Sequence, residues 1–151
     1  MNALQIVSRG EAKFVKTNIP NLKPGYALVR PQLVSLCGSD IWMLHYSAEE
    51  MYPLPPGTSG HEIIAEIVDF QDDSDTLKKG ELCLAIAPDH RGMAEYYLAP
   101  IKNLIPLPPG KTAEEFLMSQ QLGTVIYAAK QLPNIIGKTA VVIGQGSAGQ
   151  W

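Results

Sequence analysis

The chain has 151 residues, 46% hydrophobic and 18% charged, which is enough for one real core and unlike a disordered or fibrous protein. A formal charge of −3 leaves no basic face for nucleic acid or anionic lipid. No apolar run approaches the roughly 18 residues of a membrane span, and the N-terminal stretch alternates charged and apolar residues without the apolar centre of a signal peptide.

Residues 3–8 and 12–16 read as two short strands around a turn at Arg9-Gly10. Pro20 and the Lys23-Pro24-Gly25 turn punctuate the chain between this hairpin and the next strand. Residues 26–36 then read as a strand of mixed periodicity, with Pro31 pointing to an edge position or a bulge. Residues 41–52 read as a turn or two of helix, stopped by Pro53, Pro55 and Pro56. A β-rich run at 63–70 is apolar on both faces, and 71–75 is an acidic surface turn. Lys79-Gly80 opens another strand across 81–87, and a tight turn at 88–92 leads to one more at 93–100. Strands of this length and spacing, separated by Gly/Pro turns, predict a small barrel or sandwich.

The period changes at Thr112. Thr112 and Glu115 form a capping box, and Met118, Leu122, Val125, Ile126, Ala129 and Leu132 recur at helical spacing as a core-facing stripe until Pro133. Residues 139–143 carry the pattern of a buried strand and run into a G-x-G-x-x-G turn made by Gly144, Gly146 and Gly149. In a dinucleotide site the first glycine makes the tight turn, the second admits a pyrophosphate and the third allows close helix packing. The plainer alternative is a flexible tail that contains glycines.

The candidate chemistry sits between residues 37 and 62. Cys37-Gly38-Ser39-Asp40 opens this stretch and Gly60-His61-Glu62 closes it, each at a junction between an apolar run and a glycine turn. A thiolate, an imidazole and a carboxylate together suit Zn²⁺. Singly, each has a blander reading: Cys37 as a small buried hydrophobe, His61 as a hydrogen-bonded structural histidine, Glu62 as a solvated turn carboxylate. Cys83 reads as core, and His45 and His90 as surface residues, His90 being also a candidate substrate contact. Two cysteines in unrelated contexts, without an export signal, read as reduced thiols of a cytoplasmic protein.

The order of motifs resembles the zinc-dependent medium-chain dehydrogenase/reductase superfamily, the alcohol, polyol and sugar dehydrogenases. The landmarks are Cys37-Gly38-Ser39-Asp40, Gly60-His61-Glu62, Lys79-Gly80-Glu81, Gly92-Met93-Ala94-Glu95-Tyr96 and the terminal glycine turn. The resemblance implies a mainly β fold: a GroES-like barrel at 1–117, a linking helical segment at 118–138, and the start of a Rossmann domain at 139–151. It further implies the front portion of a longer protein, inactive on its own, with the helix and ribose-reading residue of the cofactor site lying past Trp151.

Carried over residue by residue, the resemblance makes Cys37 and His61 catalytic-zinc ligands and Glu62 the neighbouring carboxylate, direct or through water. It makes Asp40 the partner that fixes the His61 ring and Ser39 the hydroxyl that hands on the substrate proton. Gln120 falls at the remaining ligand position, where Cys or Glu is commoner, and Gly144, Gly146 and Gly149 at the NAD or NADP pyrophosphate. Ile41 and Trp42 stand where many relatives put a relay histidine. The four cysteines of a structural-zinc lobe are missing, with only Asp89-His90-Arg91 in their place, so one catalytic zinc and no structural zinc is implied. The implied partners are a small alcohol or carbonyl substrate and, for the full-length protein, further copies of itself. The alternatives are a zinc-free, quinone-reductase-like member of the superfamily and a non-catalytic GroES-like binding module.

Overall fold

Alternation along the strands decides the architecture. In the computed structural model, which describes residues 1–71 and 77–151, odd-numbered side chains point to one side of a curled antiparallel sheet and fill its interior. The strands are β1 (Asn2–Ser8), β2 (Glu11–Lys16), β3 (Tyr26–Ser35), β4 (Glu62–Phe70), β5 (Leu82–Ala85), β6 (Tyr97–Pro100) and β7 (Leu104–Pro106). Five of them form one sheet in the order β6-β3-β4-β5-β7, a half-barrel, while β1 and β2 form a hairpin. Ala27 and Val29 from β3, Ile63, Ala65 and Ile67 from β4, Cys83 and Ala85 from β5, and Tyr97 and Ala99 from β6 share one core.

The hairpin is stitched to this body rather than added to the sheet. The Leu4 amide donates to the Met93 carbonyl at 2.8 Å and the Glu95 amide to the Asn2 carbonyl at 3.0 Å. The strand expected across 93–100 is therefore divided: residues 93–95 serve β1, and only Tyr97–Pro100 pairs with β3. β3 is an inner strand, so the edge reading of Pro31 does not hold and the bulge reading does. Its register slips between Pro31 and Leu33, and β6 pairs only as far as Val29, so no neighbour on that side needs the N–H that proline lacks. The short β7 carried no clear pattern in the sequence.

Among the described residues four helices accompany the strands: α1 (Gly38–Tyr46), α2 (Ala113–Leu117), α3 (Ser119–Lys130) and α4 (Ser147–Gln150). α1 begins three residues before the expected start at 41, because Asp40 caps it. α2 starts with the expected box: the Glu115 amide donates to Thr112 Oγ1 at 3.2 Å, and the Thr112 amide to the Glu115 carboxylate at 3.1 Å. α2 packs across β3, β4 and β5, which accounts for the burial of Ile64 and Leu84 on the second face of the sheet.

Two expectations of burial are not met. α3 has no buried residue, and Ile126 and Leu132 of its apolar stripe are exposed. Residues 139–143 form no strand, and Ile143 is 97% exposed. A strand exists through its ladder, and among the described residues none lies beside this segment to supply one. The acidic turn expected at 71–75 lies, apart from Gln71, outside the described residues. No described helix is long and apolar enough to cross a membrane.

The two cysteines differ in a testable way. Cys83 is buried in the core with its thiol 3.4 Å from the Ala65 carbonyl, and burial, helped by the Glu81 charge, pushes its pKa up to about 12. The reactive form is the thiolate, so Cys83 stays protonated and inert throughout the ordinary alkylation range. Iodoacetamide at pH 8 is expected to modify one thiol, Cys37, in the native chain and both in denaturant. Peptide mass mapping that found Cys83 labelled in the native chain would contradict this packing.

Candidate metal centre

Strand register brings the two candidate loops together. β3 and β4 are antiparallel, and Ser35 at the end of β3 stands opposite Glu62 at the start of β4. Cys37 follows β3 by two residues and His61 immediately precedes β4, so a sequence separation of 24 becomes adjacency at one end of the sheet. The intervening chain makes α1, a 3-10 turn at Glu49–Met51 and a proline-rich return. This excursion is braced by the hairpin: the Leu54 amide donates to the Ile6 carbonyl at 2.9 Å and the Gly57 amide to the Leu4 carbonyl at 2.7 Å.

Asp40 locks the two loops to each other. Its carboxylate is buried and takes the Cys37 amide on Oδ2 at 2.7 Å, then the Ser59 hydroxyl and the Gly60 amide on Oδ1, each at 2.8 Å. One charged group thus caps α1, holds the backbone that carries Cys37, and fixes the turn before His61. The expected contact to the His61 ring is not made: Asp40 Oδ1 lies 3.9 Å from His61 Nδ1, outside hydrogen-bond range. His61 Nδ1 instead lies 3.1 Å from Nδ1 of His90, with the two rings edge to face.

A third loop, at residues 88–93, completes this end of the sheet. The Ser59 amide donates to the His90 carbonyl at 2.6 Å, and the Gly92 amide reaches the Ser59 and Gly60 carbonyls at 3.1 Å. A Cβ on Gly92 would lie 2.0 Å from Ile63 Cδ1 and 2.8 Å from the Gly60 carbonyl, so only glycine permits this approach. Ser59 (φ 102°) and His90 (φ 52°) both sit in the left-handed region, which costs a non-glycine residue of order 1–3 kcal/mol. His90 is half-buried against His61, so its reading as a plain surface residue is corrected.

Cys37, His61 and Glu62 place their donor atoms within 4.8 Å of one another. Tetrahedral bonds of about 2.0–2.3 Å separate zinc donors by roughly 3.3–3.8 Å, so modest side-chain adjustment closes this set on an ion. One soft thiolate, one imidazole and one carboxylate fit zinc better than calcium or magnesium, which take oxygen donors. Glu62 is only 4% exposed, which rules out the solvated-turn reading. The Ser39 hydroxyl, in the first turn of α1, is buried and has no hydrogen-bond partner among the described residues. Gln120, at the start of α3, lines a cavity of about 330 Å³ with Leu84, Ile86, Ile105 and Tyr127.

The glycine turn has its own geometry. Gly144 has φ 103°, and a Cβ on Gly149 would fall 2.2 Å from the Gly144 carbonyl oxygen, while Gly146 has open space around it. The first and third glycines thus fold the turn, and the middle one leaves its backbone approachable.

Comparison with known proteins gives a family match over residues 23–109, to the alcohol dehydrogenase GroES-like domain. L-threonine 3-dehydrogenase of Caldanaerobacter subterraneus is 24% identical over 91% of this chain and 47% of its own length. D-altritol 5-dehydrogenase of Agrobacterium fabrum is 34% identical over 54% of this chain and 24% of its own. Galactitol-1-phosphate dehydrogenase of Escherichia coli shares the fold with a TM-score of 0.78 at 19% identity, covering 99% of this chain and 50% of that one. A quinone oxidoreductase of Thermus thermophilus shares it with a TM-score of 0.63 at 22% identity, covering 89% of this chain and 43% of that one. The chain spans half or less of the length of these relatives.

Proposed function

Because the chain belongs to the alcohol dehydrogenase GroES-like domain family of the zinc-type medium-chain dehydrogenase/reductase superfamily, we propose that it is the catalytic-domain portion of an oxidoreductase. The reaction is the interconversion of an alcohol, polyol or sugar alcohol with its carbonyl, using NAD or NADP. The observation that carries this reading is the convergence of Cys37, His61 and Glu62 donors at one end of the sheet. A zinc ion held there supplies Lewis-acid polarisation of an alcohol or carbonyl oxygen. Cys37 and His61 hold the ion, with Glu62 as a third donor or a carboxylate acting through water. Gln120, at the second position of α3, is the proposed remaining ligand. Gly144, Gly146 and Gly149 would cradle the pyrophosphate of a nicotinamide cofactor, which would supply the hydride acceptor.

Ser39 is the proposed proton acceptor. Its buried hydroxyl makes no hydrogen bond among the described residues, so its oxygen is free to accept the substrate O–H proton as its own proton passes to a water molecule, the relay's acceptor. The test is turnover of the whole protein with NAD and NADP across a panel of secondary alcohols and polyols, with Ser39→Ala alongside. The expected result is nicotinamide reduction by the wild type and a kcat lower by about 10²-fold or more in the variant, zinc content being unchanged. Unchanged turnover, or zinc loss, in the variant would remove Ser39 from this role. A zinc-loaded wild type that oxidised no alcohol would overturn the reaction itself.

The quinone-reductase-like reading keeps the same fold without needing the metal. The donor convergence argues against it, since a thiol, an imidazole and a carboxylate brought together at one end of the sheet form a donor set that suits zinc. A cytoplasmic, self-associating full-length enzyme with one zinc and no structural zinc is the picture proposed.

A further inference from the structure

We propose that His90, rather than Asp40, is the positioning residue for His61: by engaging Nδ1 it fixes the tautomer and ring orientation that leave Nε2 as the nitrogen His61 offers to a metal alongside Cys37 and Glu62. The inference rests on the metal-centre reading and adds to it a residue from the third loop.

An imidazole that ligates a metal through one nitrogen needs a hydrogen bond at the other to hold its tautomer and plane. The nearest carboxylate is already committed, since Asp40 accepts from the Cys37 amide, the Ser59 hydroxyl and the Gly60 amide, and its closer oxygen stays 3.9 Å from His61 Nδ1. The group in range is His90 Nδ1, at 3.1 Å. Two ring nitrogens can share only one proton between them. With His61 Nδ1 donating and His90 Nδ1 accepting, His61 Nε2 keeps its lone pair for the metal and the His90 proton sits on its own Nε2.

The backbone is arranged to hold His90 there. His90 and Asp89 both adopt left-handed conformations (φ 52° and 53°), and the His90 carbonyl is pinned by the Ser59 amide at 2.6 Å. Left-handed backbone at two successive non-glycine residues persists only where the surroundings impose it, and here it brings the imidazole onto His61. His90 is not among the donors that come within 4.8 Å of one another, so it acts through His61 and not as a ligand.

The test compares wild type with His90→Ala and His90→Asn, the last keeping an acceptor oxygen near the place of Nδ1. Histidine ¹⁵N chemical shifts in the metal-stripped chain read the tautomer, and titration with Zn²⁺ and Co²⁺ reads affinity and ligand-field spectrum. The expected result is His61 protonated on Nδ1 in the wild type and in His90→Asn but shifted toward Nε2–H in His90→Ala. His90→Ala should also bind metal about 10–100-fold more weakly, with partial rescue in His90→Asn. An unchanged His61 tautomer across the three proteins would overturn the role of His90, whatever the metal does. The expected tautomer pattern with no metal bound by any of the three would instead support the His61–His90 pairing and sink the metal-centre reading on which its purpose rests.

Discussion

Replacing Cys37 with alanine is expected to abolish stoichiometric zinc binding while leaving the fold intact. Purified without chelator, the wild-type chain should carry about one zinc by plasma mass spectrometry and the variant essentially none. The thiolate is the one soft donor of the three that converge, and its loss should exceed the roughly 100-fold upper range for removing a residue that merely supports a ligand. The fold should survive, because the Cys37 side chain is not part of the buried core, and its backbone amide, which Asp40 holds, is unchanged by the substitution. Thermal unfolding separates the two effects. A ligand at 100 times its Kd stabilises by about 2.7 kcal/mol, roughly 5–10 °C for a domain of this size. That rise should appear on adding zinc to the wild type and be absent in Cys37→Ala. A wild-type chain that stayed metal-free and thermally indifferent to zinc would refute the metal centre.

What was legible in the sequence is what local chemistry decides. Thr112 and Glu115 announce a helix start because both halves of the capping box lie within four residues, and Arg9-Gly10 announces a hairpin for the same reason. The half-barrel followed from the alternation of small strands, and the motifs at Cys37 and His61 from their places at strand ends. Contacts between loops far apart in sequence were not legible. Little near His90 signals that residues 88–93 dock on the turn at 57–60, since the pairing is set by backbone hydrogen bonds and by the clearance around Gly92. The acceptors on Asp40 could not be apportioned from its spacing either, because Ser59 and Gly60 reach it from 19 and 20 residues away. The one available clue was a glycine, Gly92, followed within the same motif by residues that return to the sheet. The burial expected for α3 and for residues 139–143 failed for a different reason. An apolar pattern states that a face needs cover and does not state that the cover is present among the same residues.

Asp40 is the residue whose loss should unfold the site most completely. Asp40→Ala removes the acceptor from three donors at once: the Cys37 amide, the Ser59 hydroxyl and the Gly60 amide. Leaving a buried donor unsatisfied costs about 1–3 kcal/mol, and the three are coupled through one carboxylate, so their costs do not simply add. A total on the order of 3 kcal/mol is expected from two or more such losses, which lowers Tm by roughly 6–12 °C in a domain of this length. Asp40→Asn is the sharper probe. It preserves shape and one acceptor oxygen, but its amide N–H₂ must face at least one of the three donors, so it too should destabilise, by less than alanine. Because the carboxylate joins the loop of Cys37 to the loop of His61, both variants should weaken zinc binding along with stability. His90→Ala, in contrast, should weaken zinc binding with little change in Tm, since it leaves all three Asp40 contacts in place. Equal Tm values for wild type, Asp40→Asn and Asp40→Ala would mean that the two loops hold together without the carboxylate. The packing of the turn at 57–60 against the loop at 88–93 would then be sufficient to build this end of the sheet.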